Sequence, residues 1–483
     1  MNFTTPLYFF FFLLIFLLRW ILPFFRFFPA WIPKPFLLIG SYCFYLSWNP
    51  KFGFLLFATT LLDFCIGKNM GPAGARRNRL LLALSVGANL SVLAFFKYFN
   101  FFIESGNALF SAFGLFLPFP VWHIVLPVGI SFYTFQSLSY TIDVYRGEIS
   151  PEKNFWNYAL FLSFFPQLVA GPIVPARAFL PQLAEWKNWA SLDIREGLVL
   201  ILIGVWKKAV LADTIAEISD LVFRAPDSVS SFHAWMGVFA YALQIYFDFS
   251  GYTDIALGSA LLLGFRLVEN FRMPYLASSF SDFWRRWHIS LSSWLRNYLY
   301  IPLGGSRKGD IRTYSNLMIT MLLGGLWHGA SWNFVVWGGI HGALLAMERF
   351  FDFSFLKPRK EGERERLEAF LSIVYRVFVI LSIVLVWIFF RSPSWEITIR
   401  VFSKLFLWSQ GLEPNPFWTR IFVSVFFLFS LSTWIGSREE SKGRFKNWYL
   451  GLNPVLFGIL VSSGLLIAVL FSADSQPFLY FVF

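Results

Sequence analysis

Apolar segments follow one another along the whole chain and are separated by short polar or basic loops. A helix that spans a membrane needs about 20 mainly apolar residues. Segments of this kind lie at 6–25, 35–50, 52–67, 79–103, 121–143, 155–172, 196–219, 236–264, 316–350, 370–390, 418–436 and 452–472. Several are short for a full crossing, so we expect about 11–12 membrane segments, some of them re-entrant or half-spanning. The pattern predicts an all-α, polytopic integral membrane protein.

No long polar linker interrupts these segments, so residues 1–483 are interpreted as a single integral membrane domain. Composition supports this interpretation, because 57% of the residues are hydrophobic and only 14% are charged. Soluble domains carry about 25% charged residues. The 63 Phe and 21 Trp residues also suit a lipid environment, in which Trp collects at the membrane surfaces.

Basic residues concentrate in four loops, at 68–79, 265–315, 351–368 and 437–447. Because Lys and Arg favour the cytoplasmic side of a membrane, we expect these loops to be cytoplasmic. The loops near 104–120 and 220–235 are poor in Lys and Arg and are expected to face outward, as is the C-terminal tail. This topology accounts for the formal net charge of +12, so we expect no nucleic-acid partner.

The loop assignment has a consequence for segment 316–350. If both flanking loops are cytoplasmic, this segment enters the membrane and returns. Its length of about 35 residues suits a hairpin of two short helices better than one long span. The turn falls at Gly329-Ala330-Ser331. His328 is therefore expected at the deepest point of the hairpin, inside the membrane.

The chain has five histidines, His123, His233, His288, His328 and His341. An ionisable group inside a membrane is costly, which makes it a candidate for function. A neutral imidazole can take a proton from a hydroxyl group and later return it. For a histidine considered alone, however, a structural role with hydrogen bonds inside the protein is the commoner case. For His123 and His233 we keep that structural interpretation.

Other catalytic or metal-binding patterns are missing from the sequence. It contains neither a Gly-x-Ser-x-Gly elbow nor a His-Glu-x-x-His zinc motif. The histidine spacing matches no usual metal site, so we expect no metal. The stretch 304–310 resembles a phosphate-binding loop, but Asp310 follows its last glycine where that motif requires Lys.

The segment 271–300 differs from the apolar segments around it, because arginines alternate there with aromatic residues. One interpretation is an amphipathic helix that lies at the cytoplasmic surface. A second is that this surface also guides an anionic donor, such as the phosphates of a coenzyme or carrier, toward His288, since arginine binds phosphate well. The two interpretations are compatible.

Seven motifs occur in a fixed order along the chain. They are Pro127–Phe132 (PVGISF), Pro166–Ile173 (PQLVAGPI), Gln244–Ala256 (QIYFDFSGYTDIA), Glu269–Phe271 (ENF), Phe283–Ser292 (FWRRWHISLS), Tyr300–Gly305 (YIPLGG) and Trp327–Gly329 (WHG). In this order and spacing the motifs resemble the membrane-bound O-acyltransferase family. They look closest to its bacterial branch, which includes the alginate O-acetyltransferase membrane subunit and the teichoic-acid D-alanyl transfer protein. The resemblance covers most of the chain and is strongest over 125–345.

This resemblance implies a helical membrane fold around a central tunnel, with His328 as the essential catalytic residue and His288 as the second polar member of the site. Residues that flank or follow the two histidines are expected to contact substrate. These are Trp284, Arg285, Arg286, Trp287, Asn297, Tyr298, Trp327 and Gly329.

The resemblance also implies the reaction. An acyl group, most simply acetyl, passes from a cytoplasmic thioester to a hydroxyl of a cell-envelope polysaccharide, directly or through an extracytoplasmic acetyltransferase partner. The expected donor is acetyl-CoA or an acyl-carrier thioester, and no permanently bound cofactor is expected. The expected location is the bacterial cytoplasmic (inner) membrane, in contact with lipid.

Two other classes of function stay open at the level of sequence. Histidines and glycine-interrupted helices inside a membrane also suit a transporter or flippase. Against this class, the sequence shows no two-fold repeat and no paired acidic residues within successive segments. A non-catalytic scaffold for an envelope-modifying enzyme is the third possibility.

Overall fold

A computed structural model describes residues 3–22, 33–71, 75–115, 119–169, 171–185, 189–351, 366–436, 439–472 and 479. The chain forms two compact units. The first comprises Met1–Ile201 and Ile255–Val268, and the second comprises Leu202–Asp254 and Glu269–Phe483.

The described secondary structure is helical throughout, apart from one isolated bridge between Val229 and Leu412. The α-helices are α1 (Pro6–Ile21), α2 (Pro33–Leu46), α3 (Lys51–Asn69), α4 (Arg76–Leu93), α5 (Phe99–Ala112), α6 (Ile130–Arg146), α7 (Phe155–Ser163), α8 (Phe165–Leu168), α9 (Ala176–Ala184), α10 (Ile194–Val205), α11 (Asp213–Arg224), α12 (Ser231–Leu262), α13 (Phe280–Arg286), α14 (Ile289–Leu295), α15 (Asp310–His328), α16 (Trp332–Phe350), α17 (Arg366–Arg391), α18 (Trp395–Phe406), α19 (Pro416–Gly436), α20 (Glu439–Gly451) and α21 (Pro454–Leu470). Wider π-helical turns occupy Ala94–Tyr98, Trp206–Ala212 and Arg296–Tyr300. The prediction of an all-α membrane protein is confirmed.

Four of the described helices are long and apolar enough to cross a membrane. They lie at Lys51–Asn69, Arg76–Ala112, Leu367–Arg391 and Pro416–Thr433. The pair Gly443–Gly451 and Pro454–Leu470, bent by 113°, adds a fifth if it forms one broken span. The other predicted segments correspond to helices that are shorter, more polar or interrupted, so the count of 11–12 membrane segments and their orientation stay predictions.

Several predicted segments are shortened or interrupted in the structure. Helix α6 begins only at Ile130, because Gly129 before it adopts a left-handed conformation with φ 73°. The segment predicted at 155–172 breaks at Phe164, and a short second helix starts next to Pro166. The segment 196–219 contains the π-helical turn at Trp206–Ala212. Most of the basic loop at 351–368 and part of 437–447 lie outside the described residues.

Several buried polar side chains of the first unit are paired with one another. The Asp63 carboxylate is fully buried and accepts hydrogen bonds from Ser85, Asn89 and Ser137. Tyr8 and Ser259 share a hydrogen bond of 2.8 Å between their hydroxyl groups. Because lipid offers no hydrogen bonds, such internal pairing is what a membrane protein requires.

In the second unit, two lysines pair with three aspartates. Lys208, Asp213 and Asp248 form a buried ion network, whereas Lys207 and Asp254 are half-buried. Lys208 Nζ lies 2.6 Å from a carboxylate oxygen of both Asp213 and Asp248, and Lys207 Nζ lies 2.6 Å from Asp254. The prediction that successive segments hold no paired acidic residues was therefore wrong, because Asp213 and Asp248 share Lys208. Lysines from the π-helical turn neutralise most of these acids, a pairing that depends on how the helices pack and is not visible in the sequence.

The hairpin predicted within 316–350 is present in the second unit. Helices α15 and α16 have 19 residues each and are joined by a turn at 329–331. They approach closely at Gly325 and Gly338. A Cβ atom on Gly338 would lie 2.2 Å from the Met321 carbonyl oxygen, and one on Gly325 would lie 2.1 Å from the Phe334 carbonyl oxygen. Only glycine fits at this crossing, and the crossing positions the residues at the turn.

Candidate active site

His328 is the last residue of α15 and lies at the turn of the hairpin, where 4% of its surface is exposed. Aromatic rings surround its imidazole edge-on. Ring centroids of Trp327 and Trp337 lie 5.0 Å away, and that of Phe390 lies 5.1 Å away. These rings restrict the orientation of the imidazole and exclude solvent from most of its surface.

The glycine after His328 is required by close packing. Gly329 has an extended backbone (φ −163°), which any residue can adopt. A Cβ atom there, however, would lie 2.1 Å from the Phe334 ring. The Phe334 ring in turn packs edge-on against Phe390, with centroids 5.0 Å apart. The predicted contact of Gly329 with substrate is untested, but its packing role is clear.

His288 lies beside His328, as the resemblance implied, and their ring centroids are 6.4 Å apart. The backbone of His288 is left-handed (φ 44°, ψ 54°), an unusual conformation for a residue with a side chain. It separates α13 from α14, so segment 271–300 is not one continuous amphipathic helix. This break turns the imidazole inward, where it is fully buried against Phe249 at 4.7 Å.

Asn270 fixes the hydrogen-bonding state of His288. Asn270 Oδ1 lies 3.1 Å from His288 Nδ1, 3.2 Å from the Ser290 backbone nitrogen and 2.9 Å from Ser290 Oγ. The Ser290 N–H can only donate, so the shared Asn270 atom is an oxygen. His288 Nδ1 must then carry the hydrogen, and Nε2 of the neutral ring is a proton acceptor. Burial lowers the pKa of His288 to about 3, so the neutral form prevails.

A third buried histidine, His341, joins the same ring cluster. Its imidazole lies 4.7 Å from Trp337, which also contacts His328. Trp284 meets it edge-on at 5.0 Å, and Phe283 stacks on it at 6.3 Å. We call His288, His328 and His341, with the tryptophans that contact them, the histidine cluster.

The predicted substrate-contacting residues divide into three groups. Trp284 and Trp327 contact histidines of the cluster directly. Trp287 is fully buried and packs on Phe283 and Trp387, which indicates a structural role. Asn297 and Tyr298 lie on the π-helical turn beyond α14. Asn297 Oδ1 accepts a hydrogen bond from Arg296 Nε, and the Tyr298 ring packs on Trp294.

The two arginines of the segment are not equivalent. Arg286 Nε pairs with the Asp282 carboxylate at 3.0 Å. Arg285 is exposed and has no ion pair with any described carboxylate. Arg285 is therefore the cation of this pair that is available to an anionic ligand.

Sequence patterns indicate no individual role for three residues at this site. Asn270 occurs only as part of a motif, Trp337 lies outside all seven motifs, and His341 is one of five histidines without a distinguishing signal. The signals were present but weak. Asn270 lies in the Glu269–Phe271 motif, and Trp337 precedes His341 by four residues, one helical turn on the same face.

Comparison with known proteins agrees with the helical membrane fold. The family model of the membrane-bound O-acyltransferases (MBOAT) matches residues 148–392. The chain is 43% identical to the probable alginate O-acetylase AlgI of Pseudomonas putida over 373 residues, which are 77% of this chain and 74% of that protein. It is 37% identical to the peptidoglycan O-acetyltransferase of Helicobacter pylori over 437 residues, 83% of this chain and 79% of that protein.

A more distant relative is the teichoic acid D-alanyltransferase of Bacillus subtilis. It is 27% identical over 244 residues, 48% of this chain and 61% of that protein. The family match includes the histidine cluster and the hairpin that carries it. The chain belongs to the membrane-bound O-acyltransferase family.

Proposed function

We propose that the protein transfers an acetyl group from a cytoplasmic thioester to a hydroxyl of a cell-envelope polysaccharide, directly or through an extracytoplasmic partner protein. Two relatives that cover most of this chain support the acetyl group, since their names describe O-acetylation of alginate and of peptidoglycan. Either acetyl-CoA or an acetylated carrier protein fits as donor.

The observation that carries this proposal is the pair of buried histidines at the turn of the hairpin, with ring centroids 6.4 Å apart. His328 acts as the general base. It takes the proton from the acceptor hydroxyl while the hydroxyl oxygen attacks the thioester carbonyl carbon. The carbon–sulfur bond then breaks, and His328 returns the proton to the departing thiolate. Acetyl ester and free thiol are the products.

The state of His288 refines its role. Because Nδ1 donates to Asn270, Nε2 of the neutral ring accepts hydrogen bonds and donates none. His288 therefore does not stabilise the developing negative charge on the carbonyl oxygen. Instead it accepts a hydrogen bond from the attacking hydroxyl or from a water molecule beside it, and so orients the acceptor for His328.

The test measures thioester consumption and acetyl ester formation in membranes that contain His328→Ala, with His123→Ala as the matched control. His123 is an exposed histidine outside the cluster. We expect loss of both activities in the first variant and normal activity in the second. Equal amounts of folded protein are verified by gel filtration of detergent extracts.

The rival functions predict other results. A transporter would consume no thioester in any variant, although the buried lysine–aspartate network would suit coupled transport. A scaffold would leave polysaccharide acetylation intact in His328→Ala. Either result would refute the proposed function.

A further inference from the structure

His341 is buried, yet neither ring nitrogen has a hydrogen-bond partner among the described residues. Leaving a buried polar atom unpaired destabilises the folded protein, because the atom loses its hydrogen bonds to water and gains none in return. His341 also lies one helical turn from Trp337 and within the cluster that includes His328. Its two nitrogens are therefore available to a bound molecule at the site.

Two tryptophans beside His341 have the same property. The indole nitrogens of Trp284 and Trp337 are buried without a hydrogen-bond partner in the described parts of the chain. An indole N–H only donates, whereas a neutral imidazole both donates and accepts. Together the three side chains offer donors for carbonyl oxygens and an acceptor for an N–H group. This combination matches amide groups.

The three side chains form a continuous row between a charged surface and the catalytic histidine. Trp284 lies on α13 directly before the exposed Arg285, and its ring centroid lies 5.0 Å from that of His341. His341 lies 4.7 Å from Trp337, and Trp337 lies 5.0 Å from His328.

The ends of α13 and α16 are fixed to each other by hydrogen bonds. The backbone N–H groups of Phe280 and Ser281 donate to the Glu348 carboxylate at 2.6 and 3.2 Å. The three side chains of the row therefore lie on two helices that are fixed to each other, α13 and α16, and not on a loop.

We propose that Trp284, His341 and Trp337 bind the amide-bearing pantetheine arm of the thioester donor and so hold its carbonyl group at His328. This inference rests on the proposed function. Standard bond lengths place the two amides of pantetheine about 5 Å apart. This spacing is close to the distances between ring centroids in the row, which are 5.0 Å from His328 to Trp337 and 4.7 Å from Trp337 to His341. Trp337 then faces the amide nearer the thioester, and His341 faces the second amide.

Coenzyme A and acyl carrier proteins both present a phosphorylated pantetheine arm, so the subsite recognises chemistry that the two donors share. Arg285 faces the phosphate at the outer end of the arm. The arm would lie along the row, with its sulfur toward His328.

The test compares two probes that cannot transfer an acyl group, because a methylene group separates the sulfur from the carbonyl carbon. S-acetonyl-pantetheine has both amides, and S-acetonyl-N-acetylcysteamine has only the first. Binding is measured on full-length protein in nanodiscs. In His341→Phe we expect roughly 5- to 10-fold weaker binding of the first probe, the effect of one net hydrogen bond, and unchanged binding of the second.

Two further variants separate recognition from packing. His341→Gln keeps a donor and an acceptor and should retain most of the preference for the longer probe. Trp284→Phe keeps an aromatic ring but removes its N–H donor, so it should weaken the binding of the longer probe only. This variant keeps the test decisive if His341→Phe does not fold. His123→Phe is the matched control.

Unchanged binding of the longer probe in His341→Phe and Trp284→Phe would overturn the inference. The inference would also be overturned if His341→Phe weakened the binding of both probes equally and His341→Gln did not restore it, since that result indicates a packing role for His341. If the wild-type protein binds neither probe, the proposed thioester function fails as well. A third probe, S-acetonyl-CoA, should lose more affinity than S-acetonyl-pantetheine in Arg285→Ala if the donor is the free coenzyme.

Discussion

In an Asn270→Leu variant, His288 loses the oxygen atom that fixes its ring. Three donors lie within 3.2 Å of this oxygen, His288 Nδ1, Ser290 N and Ser290 Oγ. Each net hydrogen bond contributes about 0.5–1.5 kcal/mol, so we expect the free energy of unfolding to fall by about 2–4 kcal/mol. The imidazole can then rotate or exchange its hydrogen between nitrogens, and Nε2 is no longer a dependable acceptor.

Activity should fall by more than this loss of stability explains. Residues that orient a metal-bound histidine typically affect activity about 10- to 100-fold, and we apply the same range to a histidine that orients a substrate. We expect a fall of this size in acetyl transfer per folded molecule for Asn270→Leu, measured in membranes at saturating thioester. The matched variant Asn270→Asp keeps an acceptor at this position and should retain most activity at neutral pH.

The Asp variant also has a pH signature. A carboxylate beside the imidazole favours its charged form and raises the pKa of His288 from its low value of about 3. Because the reaction needs neutral His288, activity of Asn270→Asp should be lost on the acidic side at a higher pH than in the wild type. Normal activity in Asn270→Leu, or a pH profile of Asn270→Asp that matches the wild type, would refute the role assigned to this contact.

Two further predictions concern the stability of the second unit. Gly338→Ala should lower both the melting temperature in detergent and the activity, because its Cβ atom would lie 2.2 Å from the Met321 carbonyl oxygen. Gly458→Ala should leave both unchanged, because no atom lies within 4 Å of the added Cβ. An equal effect of the two alanines would contradict the close crossing of α15 and α16. Lys208→Ala should destabilise the protein by about 3–5 kcal/mol, since it removes the cation that both buried carboxylates, Asp213 and Asp248, share. The exposed Glu396→Ala should cost no more than about 1 kcal/mol, and similar melting temperatures for these two variants would show that the buried network contributes little.

The hairpin was predictable because two independent patterns agreed. The basic loops on either side of 316–350 required an even number of crossings, and the length of the segment required two helices. The glycines of the turn then placed His328 at its tip, where the structure has it. Charge and hydrophobicity act over whole segments, so a sequence reveals their consequences without knowledge of the packing.

The neighbourhood of His328 could not be predicted in the same way. His288, Asn270 and Ser290 meet only because the chain breaks at a histidine with positive φ, a conformation with no clear sequence signal. Arg285 and Arg286 are adjacent in sequence, yet Asp282 neutralises only one of them. Such distinctions depend on a single hydrogen bond or ion pair. The family resemblance supplied His288 as a partner of His328 where local patterns left it unassigned.

The breaks in regular structure follow from the chemistry that the protein carries inside an apolar environment. A continuous membrane helix satisfies all of its backbone groups internally and directs its side chains outward. An acyl transfer, in contrast, needs several polar side chains that face one another within a small volume. The left-handed residue at His288 and the turn after His328 each redirect the chain so that a side chain at a helix end faces inward. The resulting unpaired backbone and side-chain atoms are tolerated only where other protein groups or a ligand bond to them. His288 has Asn270, whereas the nitrogens of His341 have no described partner. This asymmetry is the physical reason to expect a bound amide at His341 and a purely positional role for Asn270.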